Sequence, residues 1–191
     1  MHLDLGRCVV RDWRASDAAS LARHADNRAV WRNLRDAFPH PYSLADAELF
    51  LGVVRGLDPC TFFAVEVDGE AAGGIGYTLQ SDVERFSAEI GYWLGEAHWG
   101  RGIATAAVRA VTAHAFREHG LRRVFALPFG WNPASARVLE KAGYTLEGRM
   151  RQSAFKDGEV VDQLLYAALR DERPLSDPGE TRGAADARNP P

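Results

Sequence analysis

The chain has 191 residues, 46% hydrophobic and 26% charged, with a formal net charge of −3. That size suits one domain able to bury a core, and the mild acidity argues against a nonspecific nucleic-acid binder. No apolar run nears the ~18 residues of a membrane span, and Met1-His2-Leu3-Asp4 does not open as a signal peptide, so a cytoplasmic protein is expected. Cys8 and Cys60 sit in apolar, strand-like surroundings and read as buried thiols. His114 and His119, five apart, point to different helix faces, and the histidines show no metal-ligand spacing. No metal site is expected.

Residues 7–12 alternate as a short strand, and Ser16 is placed to cap a helix from Asp17 to His24. The stretch from Ala37 to Tyr42 carries Pro39 and Pro41 and reads as irregular. Ser43 and Asp46 form a capping-box pattern that opens a helix through Leu49, Phe50 and Val53. Strands over 60–67 and 71–79 meet at Asp68-Gly69, a dipeptide suited to a type I′ hairpin turn. A third strand runs from Phe86 to Leu94. After the glycine turn at 99–105, Ile103, Ala107, Ala110, Val111 and Ala115 line one side of a helix that Gly120 is placed to end. A strand over 122–128 leads to a second helix, with Asn132 as cap, Pro133 at its first position and Gly143 at its end. Two final strands flank Asp157-Gly158. From about Asp171 the chain is rich in Pro, Gly, Arg and Asp, and a disordered tail is expected over 171–191.

The turn Trp99-Gly100-Arg101-Gly102-Ile103-Ala104-Thr105 aims bare N–H groups and the positive end of a helix at one spot. A phosphate-bearing ligand is its natural occupant. A P-loop would need Lys and Ser or Thr after the last glycine, where this chain has Ile103 and Ala104. A dinucleotide fingerprint would need Gly or Ala where Thr105 stands, and would open an N-terminal βαβ unit. An ordinary glycine loop before a helix remains the alternative.

In the upstream strand, alternation puts Phe86, Ala88, Ile90, Tyr92 and Leu94 on one face and Glu89, Gly91 and Trp93 on the other. A carboxylate with a side-chain-free neighbour two residues on has space beside it for a substrate or a water. That suits a general base. A solvent-facing strand glutamate would look the same.

Three ordered strings lie at workable spacing: Glu89-Ile90-Gly91-Tyr92-Trp93-Leu94, then His98 to Thr105, then Asn132-Pro133-Ala134-Ser135-Ala136-Arg137-Val138-Leu139-Glu140-Lys141-Ala142-Gly143-Tyr144. Together they closely resemble the GNAT superfamily of N-acetyltransferases, and within it the RimJ/RimL branch of ribosomal-protein N-terminal acetyltransferases. The resemblance covers roughly residues 7 to 169 in element order. It implies a mixed α/β domain over 1–170. Its central, mostly antiparallel twisted sheet would have about six to seven strands, with helices on both faces and a splayed strand pair at the cofactor site.

The resemblance further implies acetyl-CoA as the phosphate ligand, its pyrophosphate on Gly100, Arg101, Gly102, Ile103, Ala104 and Thr105. Arg101 reads either as a phosphate contact or as a solvated loop arginine. Trp93 and Leu94 would line the pantetheine groove, a role compatible with core packing. Trp99 stands where many members have Arg or Gln, and matches the RimJ-like branch. Many members place a tyrosine proton donor where this chain has Leu139. The resemblance moves that role to Ser135, which also reads as an ordinary first-turn serine, and gives Asn132 a cofactor contact beside its capping role. Tyr144 reads as core.

Catalysis would then need Glu89 to take the amine proton and Ser135 to protonate the leaving thiolate. No nucleophile–base pair of the Ser-His kind is present, so direct attack by the amine is expected. The acceptor would lie over the first helices and the segment carrying Trp31, Arg32, Arg35, Asp36, Phe38, His40 and Tyr42. A protein α-amine, a polyamine, an aminoglycoside or another small amine all fit. A noncatalytic coenzyme A-binding module on the same fold is the alternative of a different class.

Overall fold

The structure is a computed structural model that describes residues 1–171, so all of the expected tail beyond Asp171 lies outside the described residues. The strands are β1 (His2–Asp4), β2 (Val9–Asp12), β3 (Phe62–Val67), β4 (Glu70–Leu79), β5 (Ser87–Leu94), β6 (Arg123–Ala126), β7 (Thr145–Lys156) and β8 (Glu159–Leu169). They form one open sheet in the order β1-β2-β3-β4-β5-β6-β8-β7. Every neighbouring pair is antiparallel except β5 with β6. The helices are α1 (Ala18–Ala25), α2 (Arg28–Trp31), α3 (Leu44–Val54), α4 (Ile103–His119) and α5 (Pro133–Lys141).

Helices cover both faces of the sheet, and strand alternation divides the core between them. Val10, Phe63 and Val65 join α4 and α5 through Val108, Val111, Phe116 and Leu139. Ala64 and Ala71 turn the other way and join α1 and α3 through Leu21, Leu51 and Val54. Each large side chain fully buried here contributes about 1.5–3 kcal/mol.

The described sheet has eight strands rather than six to seven. The addition is β1, too short to show an alternating pattern of its own. Pairing holds it instead, with Leu3 opposite Val10 and the terminal amine on Asp12 at 2.6 Å. Phe86 lies outside β5 and is half-exposed, with the Arg85 guanidinium over its ring. Ser16 does not cap α1, because it sits inside a short 3-10 turn, Ala15–Asp17. Asp17 organises that corner, accepting from the Arg14 N–H and from both terminal nitrogens of Arg11 at 2.8–2.9 Å. Cys8 is buried, but Cys60 is only partly so, because it precedes β3 on a loop. The strand read over 122–128 ends at Ala126, short of Pro128, which has no N–H for a ladder.

Local signals elsewhere hold. Ser43 and Asp46 form the capping box of α3, and Asp68-Gly69 has positive φ at both residues, as a type I′ turn requires. The feature that positions the site is the β5–β6 pair. It is hydrogen-bonded only from Ser87–Glu89 to Arg123–Phe125, and beyond that the strands part.

Candidate active site

The divergence of β5 from β6 opens a cleft of about 1170 Å³ through the middle of the molecule. Of the residues singled out from sequence, Glu89, Trp93, Leu94, Gly100, Gly102, Ile103, Ala104, Thr105, Asn132 and Ser135 all line it. Arg101 does not. Its guanidinium turns to His98 Nδ1 at 3.2 Å, and its carbonyl oxygen accepts from Arg7 at 3.0 Å.

At one end lies the glycine turn. Gly100 and Gly102 both have φ of +73°, a left-handed conformation that costs a side-chain-bearing residue roughly 1–2 kcal/mol. A Cβ on Gly102 would meet only the end of the flexible Arg7 side chain, at 2.7 Å, so it is the left-handed backbone that calls for glycine there. The first intrahelical bond of α4 runs from the Ala106 N–H to the Gly102 carbonyl at 3.1 Å. The N–H groups of Ile103, Ala104 and Thr105 precede it and face outward with the positive end of a long helix. Arg137 and Lys141, one turn apart on α5, also line the cleft. They supply positive side chains that the motif reading passed over.

At the middle, the Asn132 side chain accepts from the Ser135 N–H at 3.1 Å and so caps α5. The Ser135 hydroxyl meets the Tyr92 hydroxyl at 2.8 Å, and Tyr92 also donates to the Ser135 carbonyl at 3.2 Å. Desolvation pushes the Tyr92 phenol well above its usual value, so it stays protonated and neutral. Alternation alone put Tyr92 on the core-facing side of β5; that its hydroxyl reaches across to α5 required the three-dimensional splay. Trp99 donates its indole N–H to the Leu94 carbonyl at 2.6 Å, which fastens the glycine turn to the end of β5.

On the opposite face of β5, Glu89 stands beside Gly91, where an added Cβ would meet nothing within 4 Å. The Glu89 carboxylate accepts from Arg35 at 2.5 Å. Trp93, on the same face, packs its ring edge-on to Phe38 at 5.5 Å. Of the seven residues picked out in the 31–42 segment, Arg35, Phe38 and Tyr42 line the cleft, and Trp31, Arg32, Asp36 and His40 do not. Trp31 and Asp36 instead anchor the segment. Lys156, almost fully buried at the end of β7, donates to Asp36 at 2.7 Å and places its ammonium 3.8 Å from the Trp31 ring centroid. Arg28 pairs with Asp157 of the same hairpin at 2.7 Å. Lys156 carried no sequence signal, because Asp36 lies 120 residues away and Trp31 farther still.

A single cleft thus joins a backbone anion cradle, a hydroxyl pair and a carboxylate with open space beside it. Residues 7–145 match the family model described as an acetyltransferase (GNAT) domain. The uncharacterized N-acetyltransferase YoaA of Bacillus subtilis (strain 168) is 35% identical over 101 residues, 53% of this chain and 56% of that protein. The ribosomal-protein-serine acetyltransferase of Escherichia coli (strain K12) is 34% identical over 109 residues, 57% of this chain and 60% of that protein. The chain therefore matches somewhat over half the length of these relatives. Among solved structures, Mycobacterium smegmatis RimJ in complex with CoA-disulfide superposes with a TM-score of 0.79 at 28% identity, covering 88% of this chain and 85% of that one. With fold, family model and relatives in agreement, the chain belongs to the GNAT family of acetyltransferases.

Proposed function

We propose that this protein is an N-acetyltransferase, working in the cytoplasm, that moves the acetyl group of acetyl-CoA directly to a primary amine. The observation that carries the reading is the continuity of the cleft from the α4 N-terminus to Glu89. The pyrophosphate rests on the backbone from Gly100 to Thr105, with Asn132 beside it and Arg137 and Lys141 adding positive charge. Trp93 and Leu94 border the path of the pantetheine arm, whose amides pair with the edge of β5 that β6 leaves open.

Glu89 takes a proton from the substrate ammonium, directly or through one water. The freed amine nitrogen attacks the thioester carbonyl carbon, forming the C–N bond as the C–S bond breaks. The thiolate that leaves takes the proton of the Ser135 hydroxyl, and the acylated nitrogen gives its second proton to the Ser135 oxygen, so the serine ends neutral; Tyr92 holds that hydroxyl in place. Arg35 orients the Glu89 carboxylate before the amine arrives. A protein N-terminal α-amine is the favoured acceptor, supported by relatives such as the E. coli ribosomal-protein-serine acetyltransferase.

Thiol release from acetyl-CoA, followed across a panel of peptides and small amines, tests the reading. Amine-dependent release supports it. Silence across the panel with intact coenzyme A binding would make the protein a noncatalytic coenzyme A-binding module.

A further inference from the structure

Helix α3 is apolar on two sides. Ala47, Leu51 and Val54 form its buried stripe, while Leu49, Phe50 and Val53 face the cleft, with Leu49 71% and Val53 58% exposed. A surface helix ordinarily presents polar residues outward, so a second apolar stripe marks surface that a ligand covers. The floor of this half of the cleft is apolar and partly open. On β4 and β5, Thr78 pairs with Glu89 and Gly76 with Gly91; the Phe62 ring covers Gly76, while Gly91 leaves open space beside the carboxylate. An apolar chamber therefore opens directly beside Glu89.

The charges of this half of the cleft describe its occupant further. Among the described residues they are Arg35, Asp46 and Glu89. The Asp46 carboxylate accepts from the N–H and hydroxyl of Ser43 through one oxygen, at 2.8 and 2.6 Å, and Glu89 is paired with Arg35. A polycation entering here would bring several ammonium groups to a wall of two carboxylates, each already holding a partner. Desolvating the remainder unpaired is costly.

We infer that the acceptor is a mono-amine flanked by a large apolar group, aromatic or long aliphatic. That group seats on Leu49, Phe50 and Val53 while the nitrogen meets Glu89. This rests on the acetyl-transfer reading above and narrows its substrate. A peptide with a large apolar first residue and a free arylalkylamine share this chemistry, and polyamines and aminoglycosides lack it.

Four acceptors decide the matter: a peptide beginning with Phe, its Ala-initiated twin, phenethylamine and spermidine. The Phe peptide or phenethylamine is expected to exceed the other two by roughly 10–100-fold in kcat/KM, and whichever leads identifies the source. Leu49→Glu, at an exposed position that spares the fold, should cut that preference about tenfold and leave the KM for acetyl-CoA unchanged. Spermidine or the Ala peptide matching the apolar acceptors overturns the inference. So does a dimer that Leu49→Glu dissociates without changing acceptor preference. Calorimetry with the coenzyme A-bound protein separates this inference from the reading beneath it. Binding of the Phe peptide over its Ala twin without turnover refutes acetyl transfer and keeps the chamber, whereas equal or absent binding refutes the chamber.

Discussion

The two ends of the cleft present their chemistry in different ways. At the α4 end the groups that face the cleft are mostly backbone: the left-handed glycines 100 and 102 and the N–H groups of the first helical turn. At the α3 end they are side chains brought from far apart in sequence, with Arg35 set onto Glu89 in the cleft and Lys156 holding Asp36 and Trp31 outside it. A backbone cradle accepts one kind of ligand part and varies little with sequence. A side-chain wall can be rebuilt by substitution, so the α3 end is where one family fold acquires different acceptors.

Substitutions at each end should therefore separate cleanly. The largest effect is expected for Glu89→Gln, which keeps the shape and a contact for Arg35 but removes the base. Its kcat should fall roughly 10²–10⁴-fold while coenzyme A affinity by calorimetry stays unchanged. An unaltered rate removes Glu89 as the base.

Gly102→Val tests the other end. A β-branched residue forced into its positive φ should distort the turn and weaken coenzyme A binding roughly 10–100-fold. Undiminished binding would relocate the cradle.

Lys156→Ala sharpens the contrast, because it touches neither ligand. Losing its contacts with Trp31 and Asp36 should cost about 2 kcal/mol in thermal unfolding and raise the amine KM severalfold, with the KM for acetyl-CoA unchanged. Equal changes in both KM values would mean that the two ends are not independent.

The smallest effect is expected for Tyr92→Phe, in which Ser135 keeps its hydroxyl but loses its partner. The rate should drop a few-fold. Because the raised phenol remains neutral across the working range, both limbs of the pH–rate profile should stay where they are. A displaced alkaline limb would make Tyr92 itself the titrating group.

Much of the α4 end was legible from local signals. A glycine turn before an amphipathic helix and an Asn-Pro helix start depend on neighbours a few residues apart, and periodicity reads such neighbours directly. Even there, Arg7 escaped notice, since it meets Arg101 across 94 residues. At the α3 end the 31–42 segment was flagged by composition alone. Composition could not separate the residues that line the cleft, Arg35 and Phe38, from those that anchor the segment, Trp31 and Asp36.

The sequence by itself determined the family, the alternation that puts Glu89 and Gly91 on one face of a strand, and the caps that start α3 and α5. The family follows from the resemblance of the three motif strings, and the alternation and caps follow from backbone geometry over a single turn or pleat. Only the tertiary structure decided that β5 parts from β6 after Glu89, that Tyr92 reaches Ser135, and that a second apolar stripe of α3 lines the same cleft as Glu89. Those contacts come from how sheet and helices pack together, and no local period in the chain encodes them.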